Sequence, residues 1–90
     1  MTEKLTLDVR DLACPEPVEV VLEAVDALAA GQYLEVFHYK EPKMLYPLLH
    51  KRGCSFLLQK GDGTFIKILI WRRPDMEAKN AVDLAVAGQG

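Results

Sequence analysis

Hydrophobic and polar positions change their period several times along the chain. Leu5, Leu7 and Val9 alternate with polar residues, which predicts a half-buried strand. Two prolines and turn-forming residues follow in Arg10-Asp11-Leu12-Ala13-Cys14-Pro15-Glu16-Pro17. From Pro15 to Ala30 the spacing becomes helical. Val18, Val21, Leu22, Val25, Leu28 and Ala29 form one apolar stripe, opposite Glu16, Glu19, Glu23 and Asp26. Pro15 suits a first helical turn, and Gly31 is placed to cap the last. Gln32 to Tyr39 alternates again, with Leu34, Val36 and His38 on one side and Tyr33, Glu35, Phe37 and Tyr39 on the other.

Strand, helix, strand with short connections predicts a right-handed βαβ unit with parallel strands. A shorter helix is expected between about Pro42 and Arg52, with Leu45, Leu48 and Leu49 inward and Gly53 ending it. Pro47 either kinks that helix or marks its true start. Cys54 to Lys60 reads as a third strand, Gly61-Asp62-Gly63 as a tight turn, and Thr64 to Arg72 as a fourth strand antiparallel to the third. The order β-α-β-α-β-β predicts an α/β (α+β) two-layer sandwich, a mixed four-stranded sheet with two helices on one face. Residues 1–73 form the expected domain, and 74–90 a flexible or weakly helical tail. Tyr33, Phe37, Leu69 and Trp71 then line the sheet face away from the helices. That patch needs a cover, either the tail folded back or a partner, such as a second copy of the chain.

Composition narrows the function. In 90 residues, 11 Lys+Arg stand against 13 Asp+Glu for a formal charge of −2, and half the residues are hydrophobic. This is one small globular domain without the basic excess of a nucleic-acid binder. No apolar run reaches membrane-spanning length, and the start MTEKLTLD is unlike a signal peptide, so a cytoplasmic location is expected. Lys40, Lys43, Lys51 and Arg52 gather around the second helix, and Arg72-Arg73 closes the last strand. They read as a solvated basic face suited to an acidic partner protein.

Cys14 is the candidate reactive residue. It precedes Pro15 at the start of the first helix, where unpaired N–H groups and the helix dipole favour an anion such as a thiolate or persulfide. The dipole contributes about 0.3–2 kcal/mol toward the thiolate. Asp11, Glu16 and Glu19 oppose it, and Arg10 assists if its side chain turns toward the loop. A modest lowering of the thiol pKa follows, which suits a carrier better than a self-sufficient hydrolase. A hydrolase also needs a general base, and His38 and His50 are both expected to project away from the helix tip. Two Cys and two His at these spacings match no zinc pattern, so neither metal nor cofactor is expected. Cys54, between Gly53 and Ser55, reads as packing, with a redox pairing to Cys14 as the alternative.

With these residues in place, Leu7-Asp8-Val9-Arg10 followed by Leu12-Ala13-Cys14-Pro15-Glu16-Pro17-Val18 resembles the TusA/SirA-like sulfur-carrier family over about Leu5 to Trp71. The resemblance implies a cysteine, here Cys14, that accepts sulfane sulfur as a persulfide, with Pro15 and Pro17 shaping its presentation. It further implies a sulfur-donor protein of cysteine desulfurase or rhodanese type and a sulfur-acceptor protein. The pathways implied are tRNA thiolation, cofactor synthesis or sulfur metabolism. No membrane or direct nucleic-acid partner is implied, and a monomer or weak homodimer is expected. Asp11 stands where the family usually has Gly, and the first helix is acidic where family members are often basic. Glu41-Pro42, Leu45-Tyr46-Pro47-Leu48-Leu49 and Gly53 look more like the related DUF2249 branch, many of whose members lack the cysteine. The alternative function is a non-catalytic interaction or regulatory module on the same scaffold.

Overall fold

A computed structural model describes residues 3–12, 16–60 and 65–88, apart from the side chain of Glu16. The elements follow the chain as β1 (Glu3–Asp8), α1 (Glu16–Asp26), β2 (Gln32–His38), α2 (Leu45–Lys51), β3 (Cys54–Lys60), β4 (Ile66–Arg72) and α3 (Met76–Ala87). The sheet order is β1-β2-β4-β3. β1 runs parallel to β2, from Glu3 opposite Gln32 to Asp8 opposite Phe37. β4 is antiparallel to β2 and β3, with Lys60 opposite Ile66 across the hairpin. The mixed four-stranded sheet and α+β class are those the periodicity predicts.

Pleat alternation divides the molecule into two apolar layers. Leu34, Val36, Ile68 and Ile70 face α1 and α2, where they bury Val18, Val21, Val25, Leu45 and Leu49. Tyr33, Leu69 and Trp71 face the other way and pack against Ala78 and Val82 of α3. The chain is therefore three layers, with the third helix on the opposite sheet face. Residues 76–87 are a helix of 12 residues with a built start, where the sequence suggests at most weak helicity. Asp75 Oδ1 accepts the Ala78 N–H at 3.0 Å, and Oδ2 accepts the Gly31 N–H at 2.7 Å. One carboxylate thus caps α3 and ties it to the turn entering β2. Both hydrogen bonds hold the Asp75 pKa below the ordinary carboxylate value.

Two local expectations need correction, and the alternatives for Pro47 are resolved. α1 ends at Asp26, short of Ala30, so Gly31 is not its cap. Gly31 instead takes φ +82° in the turn before β2. The role foreseen for Gly31 falls to Arg72, which donates from Nη2 to the carbonyls of Val25 at 3.2 Å, Asp26 at 3.4 Å and Leu28 at 3.1 Å. A guanidinium there satisfies orphan carbonyls and opposes the negative end of the helix dipole. Arg73 treats α2 similarly, reaching the His50 carbonyl at 3.3 Å and the Cys54 carbonyl at 3.4 Å. The two arginines that the sequence suggests for a basic face hold helix ends together instead. Finally, Pro47 is the third residue of α2, inside the first turn, where an N–H has no intrahelical partner to lose. Of the two roles expected for it, the first-turn position is the one the structure gives. Gly53 follows α2 with φ +71° and its N–H on the His50 carbonyl, a left-handed stop that favours glycine. The turn expected at 61–63 lies outside the described residues.

Candidate functional site

Parallel pairing of β1 and β2 brings their carboxyl ends to one edge of the sheet, where the Val9 N–H bonds to the Phe37 carbonyl at 3.1 Å. α1 begins at that edge and β2 finishes there at His38. A cleft of about 250 Å³ opens between them, lined by Val18, His38, Lys40, Glu41, Pro42, Lys43 and Met44. Val18 belongs to the first turn of α1, so the cleft abuts the start of that helix. Open α/β sheets commonly bind ligands at the carboxyl ends of their parallel strands.

His38 is the titratable ring of the cleft. Its Nδ1 accepts the Lys40 N–H at 3.1 Å, which requires a neutral ring carrying its proton on Nε2. Burial pushes its pKa below the ordinary histidine value. The expectation that His38 projects away from the tip of the first helix is thus corrected: it shares a cleft with that helix. The signal was available, because a βαβ unit places the end of its second strand beside the start of its helix. His50 does lie elsewhere, with Nδ1 3.2 Å from Arg73 Nη1.

The basic residues proposed as one partner surface separate into two places. Lys40 and Lys43 line the cleft, while Lys51 ends α2 and Arg52 follows it. Arg52 is committed to α1 through Nε, 3.0 Å from Asp26 Oδ1. Arg10 is committed as well. It donates from Nε and Nη2 to the two Asp8 carboxylate oxygens at 2.9 and 2.7 Å, and lies over Phe37, Phe65 and Tyr39 at 5.4–6.0 Å from the ring centres. The guanidinium holds the Asp8 pKa down at about 2. The Arg10 N–H also bonds to Asp8 Oδ1 at 3.0 Å, so Leu-Asp-x-Arg acts as a clamp where the chain leaves β1. Its charge is therefore taken up by Asp8 and the aromatic rings.

Of the loop residues, Asp11 is exposed and Pro17 is fully buried in the first turn of α1. Cys14, Pro15 and the side chain of Glu16 lie outside the described residues. By sequence Cys14 stands two positions before the first residue of α1. Cys54 is 2% exposed within the main core, its Sγ 3.8 Å from the Arg52 carbonyl, and burial raises its thiol pKa. It is a packing residue. Among the described residues no cluster of three His, Cys, Asp or Glu offers a metal site, and no helix is long and apolar enough to cross a membrane.

Comparison with known proteins fits this architecture. The crystal structure of a SirA-like protein from Desulfitobacterium hafniense superposes with a TM-score of 0.65 at 23% identity, covering 73% of this chain and 93% of that one. At that identity the likeness speaks for the fold. No curated protein matches. The model of a family described as uncharacterized conserved protein (DUF2249) matches residues 6–72, from β1 through β4, and leaves α3 beyond its end. The chain belongs to the DUF2249 family.

Proposed function

We propose that the protein is a sulfur carrier that accepts sulfane sulfur on Cys14 as a persulfide and relays it to an acceptor. The observation that supports this reading is the cleft at the carboxyl edge of β1 and β2, beside the start of the helix that Cys14 precedes in sequence. In sequence Cys14 and Pro15 directly precede α1, whose first turn walls a cleft that His38, Lys40 and Lys43 also line. In the reaction, the Cys14 thiolate attacks the terminal sulfur of a donor persulfide. The donor sulfur–sulfur bond breaks as the new one forms, and the donor leaves as a thiolate that takes up the proton Cys14 gave up. Electrons balance without an outside oxidant. His38 offers its Nε2 proton to a sulfur anion, and the two ammonium groups favour that anion electrostatically. The donor would be a cysteine desulfurase or rhodanese-like protein and the acceptor a second protein.

Incubation with a cysteine desulfurase and cysteine, followed by intact-mass spectrometry, tests this. Wild type should gain one sulfur, removable by reductant, and Cys14→Ser should gain none. Equal gain in both proteins, or none in wild type, overturns the reading.

A second reading, a non-catalytic interaction module, is favoured by the exposed Met44 and Tyr39 near the same cleft, 62% and 57% accessible. Its docking surface is then the cleft, because α3 already covers Tyr33, Leu69 and Trp71. Cys14→Ala would leave partner binding intact and Met44→Asp would abolish it.

A further inference from the structure

β1 and β3 are the two edges of the sheet, and they are built differently. β1 reads Glu-Lys-Leu-Thr-Leu-Asp, with charges at both ends, a composition that discourages pairing with another chain. β3 reads Cys-Ser-Phe-Leu-Leu-Gln-Lys, six uncharged residues before a single terminal lysine. It pairs with β4 through seven successive residues without a bulge, and it contains no proline. Among the described residues, no backbone group outside β4 bonds to the backbone of Ser55–Lys60. Phe56 and Leu57 on this edge are 37% and 36% exposed. An uncharged, regular, apolar edge is a template for strand addition.

We propose that β3 pairs antiparallel with β3 of a second copy about a two-fold axis through Leu57, joining two sheets into one of eight strands. The occupant follows from the strand's own sequence. Pairing about Leu57 sets Phe56 opposite Leu58 of the second copy, Ser55 opposite Gln59, and Cys54 opposite Lys60. In the central pairs apolar meets apolar and polar meets polar, and no like charges oppose each other along the strand. A shift by one residue would turn the inward face of one strand against the outward face of the other.

One added strand pair is a small interface, so the dimer is weak, with Kd on the order of tens of micromolar. The dimer does not depend on the sulfur-carrier reading, since β4 separates β3 from the strand that ends at the cleft.

Sedimentation velocity and cysteine crosslinking test the proposal, both in a Cys14→Ser background so that the loop thiol is silent. The protein should shift from monomer to dimer as concentration rises across that range, and Leu57→Lys should stay monomeric. On the axis, Leu57→Cys faces its own copy at a Cα separation of about 4.5–5.5 Å, within disulfide range. It should crosslink under mild oxidation. Ser55→Cys should not, because four residues at ~3.4 Å each set its copies about 14 Å apart. Circular dichroism shows whether Leu57→Lys is folded, and the cysteine pair decides the register without it. A protein that stays monomeric near millimolar concentration, crosslinking of Ser55→Cys as strong as that of Leu57→Cys, or a folded Leu57→Lys that dimerises like its parent overturns the proposal.

Discussion

Protonating His38 has a structural consequence, because the ring must give up the Lys40 N–H it accepts on Nδ1. Its folded pKa lies below the unfolded value of about 6.5, so between those two values the unfolded chain binds more protons. Stability is therefore full above about pH 6.5 and declines as pH falls toward the folded pKa. Urea midpoints at pH 7.5 and 5.0 should differ more for wild type than for His38→Gln. Arg72 gives a second prediction at this scale. Replacing it with Met removes the guanidinium shared by the Val25, Asp26 and Leu28 carbonyls, of which Val25 keeps the Leu28 N–H, and should cost about 1–3 kcal/mol in urea unfolding. Lys51→Met, on an exposed side chain, should change stability by less than about 0.5 kcal/mol. The packing role of Cys54 was legible from its small neighbours at a strand start. The work of Arg72 was not, since it caps a helix 44–47 residues earlier in the chain and only the tertiary fold brings them together.

The elements that periodicity located well are those with long apolar stripes, above all α1 and the strands. α3 is the exception, and its composition explains why. Val82, Leu84 and Val86 alternate like a strand, yet Leu84 is 75% exposed and the buried contacts come from Ala78 and Val82, one helical turn apart. An alanine contributes little to a hydrophobic pattern while allowing close approach to Trp71. A clearer sign was Asp75, a helix-capping residue just ahead of the segment. A chain ending at Arg73 should uncover Tyr33, Leu69 and the single tryptophan, Trp71, which is 9% exposed in the intact fold. Its fluorescence should shift to longer wavelength, and stability should fall by roughly 2–5 kcal/mol. An unshifted emission maximum would mean that α3 does not shield the tryptophan.

For the whole molecule, the division of charge matters more than its sum of −2. Much of the basic side is committed in the structure: Arg10, Arg52, Arg72 and Arg73 all have internal partners. Lys40 and Lys43 remain at the cleft, beside a helix whose outer face carries Glu19 and Glu23. A partner reading this surface meets cations at the cleft and anions along the helix. The sequence shows the acidic face of α1, but it counts Arg52, Arg72 and Arg73 with the basic face because their partners, the Asp26 carboxylate and carbonyls of Val25, Leu28 and His50, lie 23–47 residues away in the chain.

The mixed sheet also sets an order of assembly. β3 and β4 meet across a short connection, whereas β1 reaches β2 only after the whole α1 crossover, from Asp8 to Gln32, has been closed into a loop. Closing that loop costs entropy before the parallel pairs form, and β1 has a single neighbour to hold it. The hairpin should therefore nucleate folding and β1 should dock late. In stopped-flow refolding, Ile68→Val should slow folding, while Leu7→Ala should mainly speed unfolding. The strand that leads into Cys14 would then be the last to settle during folding and the first to leave during unfolding, so the segment proposed to carry sulfur follows an edge strand held by one neighbour.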